Sequence, residues 1–158
     1  MAMMDKKDKY ETLCAQIKSL VEGEKNVIGV LSNVSSIMHE TFPERYFWVG
    51  FYLVSGDELL LGPFQGSVAC YRIKKGRGVC GTAWAENSTL IVDDVETFPT
   101  HIACSSLSRS EIVVPIHCSN GDVYGVIDID STELAAFDTT DGVYLEKIAN
   151  ILSKQLQF

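Results

Sequence analysis

The chain has 158 residues, of which 46% are apolar and 22% charged, a balance typical of one globular domain with its own core. Its 13 basic and 21 acidic residues give a formal net charge of −8 at pH 7, which argues against nucleic acid or an anionic membrane as a partner, because both are bound through surplus Lys and Arg. No apolar run approaches the roughly 18 residues of a membrane-spanning helix, and the polar N-terminus lacks the apolar core of a signal peptide.

The cysteines occur in an odd number, without a secretory signal before them. They stand at positions 14, 70, 80, 104 and 118. A secreted scaffold held together by disulfides is therefore not expected, and we predict a cytoplasmic protein whose thiols are kept reduced.

The hydrophobic pattern predicts helices at both ends of the chain and strands between them. After a flexible tail of residues 1–8, helical spacing of apolar residues covers 9–22, 27–42, 82–86 and a stretch from 139. Alternating or β-branched runs predict strands at 46–54, 58–61, 69–73, 89–92, 111–118 and 123–131. We expect a single α+β domain over residues 1–158: an antiparallel sheet with the N- and C-terminal helices on one face and a ligand pocket on the other.

The second half of the chain contains a predicted hairpin whose register can be derived from its turn. Asn120-Gly121 is typical of a two-residue type I′ turn, which requires positive φ at both central residues. Ser119 then faces Asp122, and counting outward from this pair places Glu111 directly opposite Asp130.

Strand alternation adds Asp128 to the face that carries Glu111 and Asp130. Like charges opposed across a strand pair destabilise a sheet. Three carboxylates placed in this way either bind a cation or share a proton with raised pKa values. The alternative is a solvated acidic face whose side chains splay into water.

The aromatic strand at 46–54 supplies a second candidate for a pocket wall. Trp48, Gly50 and Tyr52 alternate along one face, and the two rings would suit a methyl, thioether or ammonium group. The alternative is that both faces of this strand are simply buried.

Three interpretations of the cysteines remain open from spacing alone. His101 and Cys104, with Cys70 and Cys80, could form a metal site, although no CxxC pair is present. The thiols could equally be buried apolar groups. They could also form a redox set in which one cysteine attacks and another resolves.

Five sequence blocks, in a consistent order, carry a resemblance to a known family. They are GSVAC at 66–70, GRGVCGTA at 76–83, FPTHIAC at 98–104, SEIVVPI at 110–116 and GVIDIDS at 125–131. Together they resemble the free methionine-(R)-sulfoxide reductases, which are GAF-domain enzymes. The fold that the resemblance implies is a single GAF domain, and the implied activity is thiol-dependent reduction of free L-methionine-(R)-sulfoxide.

The resemblance also implies roles for individual residues. Cys104 is the expected nucleophile, Cys70 the principal partner of its disulfide, and Cys80 a second resolving thiol. The matching substrate-binding positions are Glu111, Asp128, Asp130, Trp48 and Tyr52. We expect Glu111 and Asp130 to share protonation of the departing oxygen and Asp128 to hold the substrate ammonium group.

The family further implies recycling by thioredoxin, no metal or other cofactor, and a homodimer. Two positions depart from the family pattern: Thr100 stands where Gly is usual, and Ser105 stands where Asp follows the nucleophile. The rival hypothesis is a non-catalytic GAF module that senses a small ligand, because a fold alone does not decide function.

Overall fold

The computed structural model describes residues 5–101 and 105–158. Its helices are α1 (Lys6–Val21), α2 (Val27–Thr41), α3 (Gly78–Glu86) and α4 (Thr139–Leu156), with a short 3₁₀ helix at Val95–Thr97. Its strands are β1 (Trp48–Ser55), β2 (Glu58–Gln65), β3 (Arg72–Lys74), β4 (Leu90–Val92), β5 (Ser110–His117) and β6 (Val123–Ser131).

The six strands form one sheet in the order β3-β2-β1-β6-β5-β4, with every neighbouring pair antiparallel. Helices α1, α2 and α4 cover one face, where apolar side chains of β1, β5 and β6 complete the larger core cluster. Helix α3 contacts β5 and β6 beside a second cluster, which includes Trp48 and Tyr52. The α+β class and the division between a helical face and a pocket face are therefore confirmed.

Several helix boundaries differ from those expected from the pattern. Residues 6–8, expected within the tail, are helical, because the Asp5 side chain caps α1 by accepting a hydrogen bond from the Asp8 N–H. Helix α3 begins four residues before the expected start. The first turn of α3 was not predicted because it contains glycines, and Gly is a poor helix former. Gly81 is nevertheless required at its position, because a Cβ there would lie 2.4 Å from the Lys74 carbonyl oxygen.

The β5–β6 turn is not the predicted type I′ turn. Gly121 has φ +93° but Asn120 is not among the residues with positive φ, and the Cys118 N–H bonds the Asp122 carbonyl across a three-residue loop. An irregularity between Ile116 and His117 takes up the extra residue. Register beyond it is as predicted, with Glu111 opposite Asp130.

Within the described residues, no helix combines the length and the apolar character that crossing a lipid bilayer would require.

Candidate active site

The three predicted carboxylates meet on the pocket face of the sheet. Glu111 faces Asp130 across β5–β6, and Asp128 lies one strand-face position further along β6. On the other side of β6, Trp48 faces Asp130 and Gly50 faces Asp128. The structure therefore brings together every predicted substrate-binding position, around a small cavity of about 50 Å³.

Burial decides between the two interpretations of the acidic face. Only 6% of Glu111 and 5% of Asp128 is exposed, and Asp130 is half-buried. The carboxylates do not splay into water, so the solvated-face alternative is wrong. Charged groups in such a site are costly unless a partner or a proton compensates them.

The protonation of the trio follows from this burial. Burial, followed by the charges of Asp128 and Asp130, raises the pKa of Glu111 well above its ordinary value. Burial and the charge of Asp128 likewise raise the pKa of Asp130 well above its ordinary value. Burial also raises the pKa of Asp128, but hydrogen bonds from Glu111 and Cys80, and then the charge of His101, oppose the rise. Asp128 is thus the member of the trio best supported as a carboxylate.

One carboxylate oxygen of Asp128 is available to accept a hydrogen bond. Its Oδ1 atom is buried and has no hydrogen-bond partner among residues 5–101 and 105–158. An orphaned acceptor of this kind costs free energy until a donor arrives. The pocket therefore presents a buried acceptor oxygen to which no described residue donates a hydrogen bond.

The aromatic wall differs in detail from the prediction. Trp48 stacks on Tyr52 at 5.9 Å between ring centroids, and on Phe64 of β2 at 5.0 Å. The space at Gly50 is occupied from the neighbouring strand, because a Cβ there would lie 2.3 Å from the Phe64 Cβ. Phe64 was not predicted, and only its alternation within β2 could have indicated it.

The same two rings hold the segment between β2 and β3 in place. The indole Nε1–H of Trp48 donates to the Ser67 carbonyl at 3.0 Å. The hydroxyl of Tyr52 donates to the Cys70 carbonyl at 2.9 Å. Both wall residues thus serve a second purpose, which is to position the backbone around Cys70.

The predicted redox cysteines have different surroundings. Cys104, the expected nucleophile, lies outside the described residues. Cys70 is half-buried and disulfide-bonded. Cys80 is a free thiol, 3% exposed, that reaches into the acidic site and donates weakly to Glu111 Oε2 at 3.9 Å.

Cys80 is a poor nucleophile in this conformation. Burial, and next the charges of Asp128, Glu111 and Asp130, raise its pKa well above the ordinary value, so the thiol keeps its proton. Attack on sulfur requires the thiolate. The Cys80 S–H group instead serves as a weak hydrogen-bond donor to Glu111.

The donor atoms of Cys80, Glu111 and Asp128 lie within 4.8 Å of one another. The spacing of the sequence suggested a metal site in which Cys80 joins His101 and Cys70. Among the described residues, Cys80 instead lies with the carboxylates of Glu111 and Asp128. Ligand atoms this close together could share one cation.

Helix α3 positions Cys80 and also meets the loop that departs from the family pattern. The Gly78 N–H donates to the Thr100 hydroxyl at 3.1 Å, next to the start of α3. His101, Ser105 and Ser108 from the following loop line the cavity. Ser108 was not among the predicted residues, because loop residues carry no periodic signal.

Comparisons with known proteins agree with this site. A model described as a GAF domain matches residues 24–157. GAF domain-containing protein A of Dictyostelium discoideum is 55% identical over 148 residues, 93% of this chain and 92% of the relative. A Saccharomyces cerevisiae protein named free methionine-R-sulfoxide reductase is 42% identical over 161 residues, 98% of this chain and 89% of the relative.

Solved structures give the same result. The structure of free methionine-R-sulfoxide reductase from Neisseria meningitidis in complex with its substrate is 51% identical and superimposes with a TM-score of 0.93. The match covers 99% of this chain and 93% of that one. With the fold, the buried acidic trio and these relatives in agreement, the chain belongs to the GAF-domain family of oxidoreductases named free methionine-R-sulfoxide reductases.

Proposed function

We propose that this protein reduces free L-methionine-(R)-sulfoxide to L-methionine, with Cys104 as the nucleophile. The observation that carries the proposal is the buried Asp128 Oδ1 of an acid-lined pocket, which has no hydrogen-bond partner among the described residues. The ammonium group of a free amino acid supplies both the positive charge and the N–H donors that this oxygen lacks. The relatives named for this reaction support the same substrate.

In the proposed reaction, the Cys104 thiolate attacks the sulfoxide sulfur while Glu111 and Asp130 deliver a proton to the departing oxygen. Their raised pKa values support this role, because a carboxyl that stays neutral near pH 7 can donate a proton. Two electrons pass from the thiolate to the sulfoxide sulfur. Methionine leaves, and the oxygen remains on Cys104 as a sulfenic acid.

A resolving thiol then condenses with the sulfenic acid to form a disulfide and water. Cys70 is the proposed principal resolving residue, and its disulfide-bonded state supports that choice. Cys80 is the proposed auxiliary thiol, since its proton and its burial disfavour the thiolate. Thioredoxin is the proposed external reductant, and no metal or other cofactor takes part.

Selectivity for the free amino acid follows from charge. A peptide-bound methionine sulfoxide lacks the ammonium group, so Asp128 would be buried without compensation. Discrimination against substrates that leave a buried polar group unpaired is among the strongest available to enzymes.

A homodimer in the cytoplasm is the proposed physiological form. Three free thiols among the described residues, Cys14, Cys80 and Cys118, support a reducing compartment.

The test is a thioredoxin-coupled assay on free methionine-R-sulfoxide, its S epimer and a peptide sulfoxide. Wild type should turn over the free R epimer alone, Cys104→Ser should be inactive, and Cys14→Ser, on the helical face, should match wild type. Equal turnover of the three substrates, or activity in Cys104→Ser, contradicts the proposal. Tight binding of the free sulfoxide without turnover would favour the sensor module.

A further inference from the structure

The surface beside Cys70 exposes two large apolar side chains, of which Val68 also lines the acidic pocket and Tyr71 does not. Val68 is 86% exposed and Tyr71 is 79% exposed, the highest values among the large apolar residues that the structure describes. They lie two residues before and one residue after a disulfide-bonded cysteine. Exposed apolar residues grouped at one place commonly mark a site of protein contact.

This exposure is enforced by hydrogen bonds on both sides of Cys70. Trp48 holds the Ser67 carbonyl, Tyr52 holds the Cys70 carbonyl, and the Leu61 N–H donates to the Tyr71 carbonyl at 3.0 Å. The backbone is therefore fixed from residue 67 to residue 71. A fixed segment binds a partner at a lower entropic cost than a loop that must first be ordered.

Charge identifies the kind of partner. No acidic residue stands between positions 66 and 85, although the whole chain carries a net charge of −8. The four basic residues of this stretch are Arg72, Lys74, Lys75 and Arg77. Arg72 pairs with Glu58, and Lys75 lies over the Trp84 ring, but Lys74 and Arg77 form no ion pair among the described residues.

The position in the sheet leaves this surface accessible. Strand β3, which carries Lys74, is one of the two edge strands of the described sheet and pairs there only with β2. The surface therefore combines exposed apolar groups, unpaired positive charge and a disulfide sulfur. An acidic protein complements the charge, and a protein dithiol matches the chemistry of the disulfide.

We propose that Val68, Tyr71, Lys74 and Arg77 form a docking surface for an acidic protein dithiol that opens the disulfide at Cys70. The inference rests on the proposed function only in its purpose, which is to regenerate the enzyme after each turnover. The attack itself requires nothing but the disulfide.

The exchange balances in two steps. A thiolate of the partner attacks the Cys70 sulfur, forming a mixed disulfide and releasing the other cysteine of the protein's disulfide as a thiolate. The second partner thiol, after losing its proton, attacks its neighbour's sulfur in the mixed disulfide and releases the Cys70 thiolate. The partner is oxidised to a disulfide, and this protein gains two electrons and, on protonation, two thiols.

The experiment measures this reduction without methionine sulfoxide. The protein is oxidised with diamide and mixed with reduced thioredoxin of acidic pI, or with dithiothreitol. Alkylation and mass spectrometry of the Cys70 peptide follow the reaction. We expect Tyr71→Ser and the double variant Lys74→Glu/Arg77→Glu each to lower the second-order rate constant with thioredoxin about tenfold. The rate constant with dithiothreitol should stay within twofold of wild type.

The controls are Ile28→Ser, an apolar residue 72% exposed on α2, and Lys18→Glu/Lys154→Glu on α1 and α4. Both should react with thioredoxin at the wild-type rate. Equal rates for surface and control variants would overturn the proposal, as would a surface variant that also slows dithiothreitol. A change of oligomeric state in the surface variants overturns it in favour of contact between copies. Failure of the reductase activity alone would leave these rates unchanged, so the two proposals fail separately.

Discussion

Glu111 faces opposing demands of stability and catalysis. Its side chain lies among Asp128, Asp130 and Cys80, and His101 is the one basic residue among the described residues that line the same cavity. An ionised Glu111 is therefore unfavourable, and burial with the charges of Asp128 and Asp130 raises its pKa well above the ordinary value. In the proposed reaction, a neutral carboxylic acid donates the proton to the departing oxygen.

Glu111→Gln tests this role through the pH dependence of kcat. Wild-type turnover should fall as pH rises through the raised pKa of Glu111, because the proton donor is then lost. The variant should be about 100-fold slower at neutral pH and should lose that falling limb. Glu40→Gln, at an exposed position on α2, is the control. A variant that is slow but keeps the wild-type pH profile would contradict the assignment.

The same substitution should stabilise the ligand-free protein. The folded-state pKa of Glu111 lies above the ordinary 4.5, so the unfolded chain releases a proton that the folded chain retains. The contribution of Glu111 to the free energy of unfolding is then fully present below pH 4.5 and is lost as pH rises through the folded-state pKa. Gln cannot ionise, so Glu111→Gln should raise the free energy of unfolding by about 1–2 kcal/mol at pH 8 and by less at pH 5. Urea denaturation at the two pH values measures the difference, and an equal change at both would refute it.

At the scale of elements, the β5–β6 hairpin separates what the sequence can specify from what it cannot. The pairing of Glu111 with Asp130 was correct although the turn was not. Alternation of Ile112, Val114 and Ile116 requires these side chains to face the helices, and a slip by one residue would expose all of them. The irregularity beside Ile116 restores the pairing that the three-residue turn would otherwise shift.

Features set by tertiary contact were not predictable from the pattern. Helix α3 begins at Gly78, and at Gly81 it passes so close to the Lys74 carbonyl that no larger residue fits, a tertiary contact that no local propensity indicates. Phe64 fills the space at Gly50 across a strand pair whose register has an irregularity at that point. The site was predictable where strand alternation placed it, and not where loops and neighbouring strands completed it.

Gly66, just after β2, links this packing to substrate binding. It has φ +140°, and an added Cβ would lie 2.6 Å from Trp48 Cδ1. Gly66→Ala should therefore displace the indole from Ser67 and raise KM for the free sulfoxide about tenfold, a loss of about 1.4 kcal/mol. Gly56→Ala is the matched control, with φ +64° but open space around the position, and should lose only about 1 kcal/mol of stability. An equal KM in the two variants would contradict a positioning role for Gly66.

On the scale of the whole molecule, the sheet separates a stabilising polar network from the reactive pocket. Asp141 of α4 is fully buried and receives hydrogen bonds from Tyr10 of α1 and from Lys6, the latter at 2.7 Å. The hydroxyl of Tyr46, just before β1, forms a hydrogen bond with the Tyr10 hydroxyl, at 2.7 Å between the two oxygens. Burial, then the charges of Tyr46 and Asp141, raise the pKa of Tyr10, so its hydroxyl remains a donor. This network joins three parts of the chain on the helical face, away from the acidic trio.

Tyr10→Phe should therefore change stability and leave catalysis unchanged. Removing the hydroxyl takes a donor from a buried carboxylate, which should cost about 2–3 kcal/mol of unfolding free energy, measured by urea denaturation. Tyr144→Phe removes a hydroxyl that bonds the exposed residue Glu11 and should cost about 0.5 kcal/mol or less. Both variants should keep wild-type kcat and KM below their unfolding transitions, because the sheet lies between this network and the pocket. A changed KM in Tyr10→Phe would show that the helical face and the pocket face are coupled. A free energy of unfolding no lower than that of Tyr144→Phe would contradict the stabilising role of the Tyr10 hydroxyl.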